Sequence, residues 1–453
     1  MSNPRIMIAA PSSGCGKTTF TCALLRAFIR RGQQCAAFKC GPDYIDPMFH
    51  RACVGACRGA NLDLFFCEEP ALRQILIRES RNMDLSILEG AMGYYDGLGA
   101  KSEQASAWDI ARATQTPVVL LIHGRGASVS LAPLIQGFLS FRSPSMIQAV
   151  VFNQVSPMVY PLLKDIVEKE CGIPVAGYLP PMEDCSLESR HLGLVTAAEI
   201  NGLSEKLDRM AEQIQQTVNL ELLEEIASKA PDFKDSPQEI SRLDPVRIAV
   251  AKDRAFCFYY EESLELLEAM GAELVPFSPL SNSCLPQADA LLLGGGYPEL
   301  YAQALSENQP MRESIKKAIQ QGMPAIAECG GFLYLGKALE GSDGISYPMA
   351  GVLKGKGYRT PKLQRFGYTV LTAKQESLLG PAGSRFKAHE FHYWDSTNPG
   401  EAFQAEKPLR GRHWQCGYGT STLYAGFPHL YLAGMPEAAV RFLKAAVSYR
   451  KGK

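Results

Sequence analysis

The sequence predicts two successive α/β domains, the first built on a doubly wound and mostly parallel sheet. Three observations predict this fold class. Short apolar segments alternate with helical segments, a glycine-rich phosphate-binding pattern follows the first apolar segment, and a polar stretch with three prolines at 231–245 precedes a second such series. Strands that alternate with helices are typical of α/β domains. With 453 residues, and roughly 150 or more per domain, we place the domains at 1–240 and 241–453.

The strand candidates are continuous apolar segments rich in Val, Ile and Leu. Such segments are typical of strands buried on both faces of a parallel sheet. In the first half they are 5–10, 35–40, 85–90, 117–124, 146–155 and 174–180, and in the second half 246–253, 273–278, 289–296 and 323–331. Helical segments are predicted at 17–31, 68–79, 158–170 and 203–230.

The phosphate-binding pattern is "APSSGCGKTT" at 10–19, which departs from G-x-x-x-x-G-K-[ST] because Pro11 replaces the first glycine. The loop backbone can still surround a phosphate at the start of a helix. Lys17 is expected to reach the β- and γ-phosphates and Thr18 to bind Mg²⁺. A glycine-rich turn that merely starts a helix is the weaker alternative. The predicted nucleotide-binding residues are Ser13, Gly14, Cys15, Gly16, Lys17, Thr18 and Thr19.

Polar residues end two further strands of the first domain. Glu89 closes the segment 85–90 before a glycine-rich loop, where an acid is well placed for Mg²⁺ beside a phosphate loop. Asp96, in that loop, is interpreted as a turn residue. Asn153 ends another apolar segment, so its amide is expected at the ligand edge of the sheet. It could bind adenine or cap a turn, and the sequence does not separate the two.

The stretch "KCGPDYIDPMFH" at 39–50 carries two acids, Asp43 and Asp46, among a glycine, two prolines and a histidine. Proline disfavours a helix interior or a central strand, so we predict a stiff, ordered acidic loop.

In the second half, "AECGGFLYLG" at 327–336 places Cys329 between an apolar strand and a helical segment. This arrangement is typical of a nucleophile elbow, and the helix start is expected to stabilise a thiolate. "GGGYPEL" at 294–300 offers backbone donors for an oxyanion hole. The predicted oxyanion-hole residues are Gly295, Gly296 and Gly330. The candidate bases are His389, His392, His413 and His429.

Composition excludes several classes of protein. Charged residues make up 21% of the chain and the formal net charge is −1, so nothing indicates nucleic acid or an anionic membrane as a partner. No signal peptide is recognisable, and no apolar run approaches the roughly 20 residues that span a bilayer. The 13 scattered cysteines are expected to be reduced thiols in a cytoplasm. Cys53 and Cys57 lack a second pair for a metal site.

These motifs together resemble the cobyrinic acid a,c-diamide synthases, and the resemblance runs along essentially the whole chain. The motifs, in the family's order, are SSGCGKTT, FKCGPDYIDPMFH, NLD (61–63), LEGAMGYYDG, GGGYPEL, AECGGFLYL and HEFHYW. The first half is also similar to dethiobiotin synthetase, and the second to class I glutamine amidotransferases. The resemblance implies ATP- and glutamine-dependent amidation of the a and c acetate groups of a corrinoid, cobyrinic acid, through acyl phosphates, in cobalamin biosynthesis with Mg²⁺.

The resemblance also implies residue roles. Cys329 would attack glutamine, with His429 as its base. Class I amidotransferases carry a glutamate two residues after this histidine, but Tyr431 stands there, so a third member is unidentified. The implied Mg²⁺–nucleotide residues are Thr18, Asp43 and Glu89, and the implied substrate-facing residues are Asp43, Tyr44 and Asp46. Facing active sites joined by an ammonia channel are expected.

Several alternatives remain. The same a,c-diamidation could act on hydrogenobyrinic acid or nickel-sirohydrochlorin, which the motifs do not separate. Cobyric acid synthases usually lack the loop at 39–50, regulators of the ParA/MinD type lack the cysteine elbow, and a ligase like CTP synthetase would need a longer chain. A homodimer stays open; no nucleic-acid or membrane partner is expected.

Overall fold

The structure, a computed structural model, describes residues 3–185, 189–190, 193–194, 202–233 and 240–452. Clustering of backbone contacts divides the chain into two compact units, Met1–Gln238 and Glu239–Lys453. No helix in the described ranges combines the length and the apolar character needed to cross a bilayer. The middle of the linker stretch predicted at 231–245 lies outside the described residues.

The first unit alternates strands and helices. Its strands are β1 Arg5–Ala9, β2 Cys35–Cys40, β3 Asn61–Leu62, β4 Leu85–Glu89, β5 Val118–His123, β6 Ile147–Asn153, β7 Val175–Leu179, β8 Ser189–Arg190 and β9 Gly193–Leu194. Its helices are α1 Lys17–Arg30, α2 Ile45–Met48, α3 Glu69–Glu79, α4 Ala107–Thr114, α5 Leu131–Ser140, α6 Tyr160–Cys171, α7 Leu203–Thr217 and α8 Leu220–Ser228. A π-helical turn spans Phe49–Cys53, and short 3₁₀ turns span Leu98–Ala100 and Glu183–Cys185.

A seven-stranded parallel sheet forms the centre of this unit, in the order β3-β2-β4-β1-β5-β6-β7. The predicted strands are confirmed to within one or two residues at their ends. The order puts β2, β4 and β1 side by side, so the residues at their carboxyl ends meet at one edge. In such sheets this edge is where ligands bind.

The stretch 39–50 was predicted as a loop, and this prediction is wrong in part. Residues 45–48 form α2, and the π-helical turn follows directly. Pro47 is compatible with the helix because it lies in the first turn, where its missing N–H has no intrahelical partner to lose. The Asp43 carboxylate accepts hydrogen bonds from the N–H groups of Ile45 and Asp46, at 2.8 and 3.1 Å, and so holds the start of this helix.

The second unit adds an antiparallel layer to an α/β layer. Its strands are β10 Val246–Ala251, β11 Ala272–Phe277, β12 Ala290–Leu293, β13 Ala325–Glu328, β14 Ala338–Glu340, β15 Ser346–Pro348, β16 Lys356–Ala373, β17 Arg385–Ser396, β18 Phe403–Glu406, β19 His413–Cys416, β20 Tyr418–Gly419, β21 Leu423–Gly426 and β22 His429–Leu430. Its helices are α9 Glu261–Ala269, α10 Ala302–Glu307, α11 Gln309–Gln320, α12 Gly330–Leu335 and α13 Pro436–Lys451, with 3₁₀ turns at Pro298–Tyr301 and Leu432–Gly434.

Two sheets organise the second unit. A six-stranded sheet runs β11-β10-β12-β13-β21-β20, and a second sheet runs β15-β14-β16-β17-β22 with β18 and β19 attached to β16. One buried cluster joins β10 and β12 to β16, β17 and α13, for example through Leu292, Leu371 and Phe442. The sequence predicted the first four strands here, but not the antiparallel sheet. That sheet carries β22, and therefore His429.

Candidate active sites

The phosphate-binding loop connects β1 to α1 and is packed against the end of β6. Gly14 and Gly16 both have positive φ, at 79° and 86°, which favours glycine. The Asn153 amide donates to the Cys15 carbonyl at 2.8 Å, and a Cβ on Gly16 would lie 2.4 Å from that same amide nitrogen. Among the described residues, the buried Asn153 Oδ1 has no hydrogen-bond partner. Asn153 therefore supports the loop, while its contact with adenine stays a prediction.

Lys17, the first residue of α1, is held across the loop. Its Nζ donates to the carbonyl oxygens of Ser12 and Met92, at 3.0 and 2.5 Å. Burial lowers the pKa of Lys17, and the nearby charge of Lys39 acts in the same direction. The amine is thus fixed beside the place where the loop N–H groups can surround a phosphate.

Next to the loop lies a group of polar side chains, which we call the charged cluster: the half-buried Thr18 and the buried Lys39, Asp46, His50 and Glu89. Lys39 Nζ lies 2.5 Å from Asp46 Oδ2 and 2.7 Å from Glu89 Oε1. Thr18 Oγ1 donates to Glu89 Oε1 at 2.5 Å, and His50 Nε2 lies 2.9 Å from Glu89 Oε2. The cluster forms because β2 and β4 end at the same edge, beside α1.

The charges of this cluster are set by mutual contact rather than by solvent. Burial alone would lower the pKa of Lys39, but Asp46 and Glu89 outweigh burial and raise it well above its ordinary value. Burial alone would raise the pKa of Glu89, but Lys39 and then His50 outweigh it and lower the pKa below its usual range. Lys39 therefore stays an ammonium and Glu89 a carboxylate at neutral pH.

Of the two acids of the stretch 39–50, Asp46 rather than Asp43 contacts Thr18. Asp43 was expected beside Thr18 and Glu89, and Asp46 toward the substrate. Thr18 Oγ1 instead donates to Asp46 Oδ2 at 3.3 Å, while Asp43 Oδ1 is bonded to the backbone that starts α2. The reason is the helix itself, because its first turn directs the Asp46 side chain into the cluster.

The oxygen atoms of Thr18, Asp46 and Glu89 are the donor type that Mg²⁺ prefers. In the described ranges, no three or more His, Cys, Asp or Glu side chains are grouped as metal ligands. In a nucleotide-linked Mg²⁺ site, phosphates and water supply most ligands and the protein only one or two carboxylates. Asp96 is not part of the cluster: its carboxylate accepts from Gly93 N at 2.9 Å and closes a turn.

Cys329 stands at a sharp turn between β13 and α12 in the second unit. Its φ of 47° and ψ of −99° are strained for a non-glycine residue, as expected for a nucleophile elbow. Gly331 permits the turn, since a Cβ there would lie 2.1 Å from the Leu293 carbonyl oxygen. Burial raises the pKa of the Cys329 thiol and Glu299 raises it further, against the opposing hydrogen bond from Gly330. The buried thiol is therefore expected to need a base in order to ionise, and stabilisation of its thiolate by the helix start stays a prediction.

The three glycines predicted for the oxyanion hole lie around this turn. A Cβ on Gly330 would lie 3.2 Å from Gly296 N, and a Cβ on Gly295 would lie 2.5 Å from Cε1 of His429. Side chains are thus excluded where the backbone approaches the proposed base. Their N–H groups as oxyanion donors remain a prediction.

The four candidate bases have different environments. His413 is exposed and lies 3.7 Å from Glu406. His389 and His392 are buried on β17, where burial lowers the pKa of each to about 3. His429 is buried on β22, which pairs with β17 so that His429 is opposite His389. Of these four histidines, His429 is the one whose ring lies next to Gly295 among the described residues.

His429 also faces a carboxylate that the sequence did not identify. Its Nδ1 lies 3.6 Å from Glu328 Oε2, and Glu328 Oε1 accepts from Leu430 N at 2.9 Å. Tyr431, at the position of the usual acid, packs its ring edge-on against Tyr260 at 4.9 Å between centroids. The available signal was a charged residue at the end of an apolar strand, directly before the elbow cysteine.

Comparison with known proteins gives matches along both units. Residues 6–195 match the family described as the CobQ/CobB/MinD/ParA nucleotide binding domain, and residues 247–431 match the CobB/CobQ-like glutamine amidotransferase domain. A cobyrinate a,c-diamide synthase from Caldanaerobacter subterraneus subsp. tengcongensis is 38% identical over 447 residues, which cover 98% of each chain. This chain belongs to the cobyrinate a,c-diamide synthase family.

A second member of this synthase family, from Clostridium acetobutylicum, is 40% identical over 436 residues, covering 95% of this chain and 97% of that one. Among solved structures, MinD from Aquifex aeolicus is 14% identical with a TM-score of 0.30, covering 49% of this chain and 94% of that one. The two family models, over residues 6–195 and 247–431, confirm the predicted fold class. As a member of the family, the chain is an ATP-binding, glutamine-dependent amidating ligase.

Within this family assignment, sequence reasoning missed two further residues of the first site. Lys39 joins Asp46 to Glu89, and His50 completes the contacts of Glu89. Lys39 had a detectable signal, since it is a lysine near the end of a fully buried strand. His50 had none, because its contact requires the π-helical turn after α2.

Proposed function

We propose that the chain converts the a and c acetate carboxylates of cobyrinic acid to amides, using ATP and ammonia from glutamine. The observation that carries the proposal is the charged cluster beside the phosphate-binding loop, a site suited to activating a carboxylate. The choice of substrate rests on the name of the relatives, cobyrinate a,c-diamide synthase. Failure to form an amide from any of the tested tetrapyrrole acids in the presence of ATP would contradict the proposal.

The ligase reaction needs ATP because a carboxylate oxygen is a poor leaving group. An acetate oxygen of the substrate attacks the γ-phosphorus, the bond to the β-phosphate oxygen breaks, and an acyl phosphate and ADP result. Ammonia then attacks the acyl carbon, inorganic phosphate leaves, and a proton is lost to give the amide. Lys17, held at the loop by two carbonyl groups, offsets the negative charge of the phosphates during the transfer.

Thr18, Asp46 and Glu89 are the residues proposed to hold Mg²⁺ together with the nucleotide. Bound there, Mg²⁺ would neutralise phosphate charge and orient the phosphates. Lys39 offsets the repulsion between the Asp46 and Glu89 side chains and holds both in place, since its ammonium contacts both. Asp43 and Tyr44, which precede α2 on the same segment, remain the proposed contacts for the substrate.

The second unit is proposed to supply ammonia. The Cys329 sulfur attacks the side-chain amide carbon of glutamine, and His429 takes the thiol proton and passes it to the departing ammonia. Water then hydrolyses the thioester to glutamate. Gly295, Gly296 and Gly330 are the proposed donors to the oxyanion. The raised pKa of Cys329 agrees with a nucleophile that ionises only as its base accepts the proton.

Mass spectrometry of the product identifies the substrate. The protein is incubated with ATP, Mg²⁺, glutamine and one of cobyrinic acid, hydrogenobyrinic acid or nickel-sirohydrochlorin. We expect cobyrinic acid to gain two amides, with glutamate and ADP formed in step. Two amides on one of the other acids, and none on cobyrinic acid, would overturn the substrate assignment while keeping the reaction class.

The division of labour is tested with Cys329→Ser. We expect this variant to lose glutamine-dependent amidation by about 100-fold or more, because serine is a far weaker nucleophile without a strong base. Ammonia-dependent amidation should stay within about twofold of the unmodified protein. Loss of both activities in a folded variant would refute the separate roles.

A further inference from the structure

We infer that Glu328 is the positioning residue of His429 and takes the place of the acid that Tyr431 replaces. The inference rests on the proposed glutaminase role of Cys329 and His429. Glu328 touches neither the reacting sulfur nor glutamine in this assignment. It acts through the imidazole ring of His429.

The geometry holds the Glu328 carboxylate against His429 from two directions. One oxygen accepts from the N–H of Leu430, the residue directly after His429, at 2.9 Å. The other oxygen lies 3.6 Å from Nδ1 of the ring. That separation is within ion-pair range and longer than a hydrogen bond, as is common for catalytic contacts before a substrate binds.

The position follows from the strand order. β13 and β21 are parallel neighbours in which Glu328 is opposite Gly426, and His429 begins β22 three residues later. Glu328 is the last residue of β13, so it shares one turn with the nucleophile that follows it. Because the same short segment carries both side chains, the carboxylate and the thiol are fixed relative to His429 together.

Two neighbouring residues are poorer candidates for this role. Tyr431 has no carboxylate and packs against Tyr260. Glu299 is buried, which raises its pKa to about 7, and its charge acts on the Cys329 thiol. Glu328, by contrast, places its carboxylate next to the ring of His429.

A carboxylate at Nδ1 has two chemical effects. It favours the tautomer in which Nδ1 carries the proton, leaving Nε2 free to accept the proton of Cys329. It also stabilises the imidazolium that forms after the transfer. Both effects raise the rate of thioester formation without changing how glutamine binds.

Other titratable groups surround the same histidine. Cys329 lies on the elbow, His389 and His392 lie on β17, and the charge of His429 acts on both of these rings. The charge of Lys407 acts on the same two rings, and its Nζ lies 3.9 Å from Glu390 Oε2. A pH profile of one protein alone therefore does not isolate Glu328, and the comparison must be made between variants.

The test uses Glu328→Gln and Glu328→Ala in the full chain, with Glu376→Gln as a matched surface control. Glu376 is an exposed acid of the same unit, with 72% of its side chain accessible. Glutamine at 328 can still accept the N–H of Leu430 but has no charge, whereas alanine loses both. Glutaminase kcat, KM and the pH profile are measured, together with ammonia-dependent amidation.

We expect Glu328→Gln to lower glutaminase kcat by about tenfold or more, with KM for glutamine within about twofold. The acidic limb of its pH profile should move down by about one pH unit, because neutral His429 is the base and its protonated, inactive form loses the stabilising negative charge of Glu328. Ammonia-dependent amidation and Glu376→Gln should be unchanged.

A Glu328→Gln variant with normal kcat and pH profile, beside an impaired Glu328→Ala, would show that Glu328 only anchors Leu430 and would overturn the inference. If the unmodified protein has no glutaminase activity, the proposed function fails instead, so the two failures are distinguishable.

Discussion

At the scale of single residues, Asp43 and Asp46 lie three positions apart in the sequence and make different contacts. Both are acids in one twelve-residue stretch, and both were assigned from the resemblance alone. The structure puts Asp46 with Thr18 and gives the Asp43 carboxylate to two backbone N–H groups. Local helix geometry, which the sequence pattern with Pro47 argued against, decides the difference.

The contact of Asp46 with Thr18 gives a prediction for the Mg²⁺ requirement. Asp46→Asn should raise the Mg²⁺ concentration for half-maximal ammonia-dependent amidation by about tenfold, because a carboxyl oxygen that can bind the cation as an anion is replaced by a neutral amide. Asp43→Asn is the matched control: its amide oxygen can still accept both backbone bonds, so we expect less than about a twofold change. The measurement is a Mg²⁺ titration at saturating ATP. A larger effect of Asp43→Asn than of Asp46→Asn would restore the original assignment.

At the scale of elements, β17 links the proposed base to the antiparallel sheet. It carries His389 opposite His429, and His392, whose ring stacks on Phe427 at 3.9 Å. Burial lowers the pKa of both His389 and His392 from 6.5 to about 3. Both are therefore neutral in the folded chain, while in the unfolded chain they bind a proton below about pH 6.5.

This difference gives a pH-dependent stability term with a definite sign. The contribution of each buried histidine is complete above pH 6.5 and declines as the pH falls toward 3, since the unfolded state then binds the extra proton. At pH 5 the loss is about 2 kcal/mol for each histidine. Glu299 and Glu390, with pKa values raised to about 7 chiefly by burial, act in the opposite direction. The prediction therefore concerns a variant relative to the parent.

His392→Phe keeps the ring on Phe427 and removes the titrating group. Between pH 7 and pH 5 we expect its stability relative to the parent to improve by about 2 kcal/mol. Urea unfolding is followed by tryptophan fluorescence in a Trp108→Phe background, so that Trp394 and Trp414 report on the second unit. His413→Gln, at an exposed position, should follow the parent at both pH values. An identical pH response in His392→Phe and the parent would contradict the prediction.

At the scale of the whole molecule, the proposed function gives the chain two chemistries that are linked through ammonia. The first unit holds the phosphate loop and the charged cluster, and the second holds the cysteine elbow. Free ammonia is mostly ammonium at neutral pH, and ammonium is not a nucleophile. A chain that makes ammonia from glutamine and consumes it directly avoids that loss, which is the reason we expect for joining the two units.

The expectation can be measured through pH. With Cys329→Ser and ammonium salts, the amidation rate at subsaturating ammonium should rise about tenfold per pH unit between pH 6 and 8, following the unprotonated fraction. Glutamine-dependent amidation by the parent should rise much less over the same interval. Both rates are read from ADP release in the presence of the substrate acid. Equal slopes would mean that ammonia equilibrates with the solvent before use.

The sequence by itself predicted the α/β class, ten strands of the two central sheets, and one candidate residue for each site, Lys17 in the first unit and Cys329 in the second. These features depend on local properties: apolar segments, glycine at turns, and the order of strand, loop and helix. In the first unit the strand ends matched the structure to within one or two residues, because fully buried parallel strands are apolar along their whole length. In the second unit the predictions 289–296 and 323–331 end three residues beyond β12 and β13.

Only the tertiary structure decided which polar side chains meet. The contacts of Lys39 and His50 with Glu89, and of Glu328 with His429, join segments that are far apart in the chain. The mostly antiparallel sheet also escaped prediction, since β16 has no regular alternation of buried and exposed residues before Thr369 and contains Pro361. Periodicity reports which face of one element is buried, but pairing depends on the strand order, and the strand order is what brings Lys39 to Glu89 and Glu328 to His429.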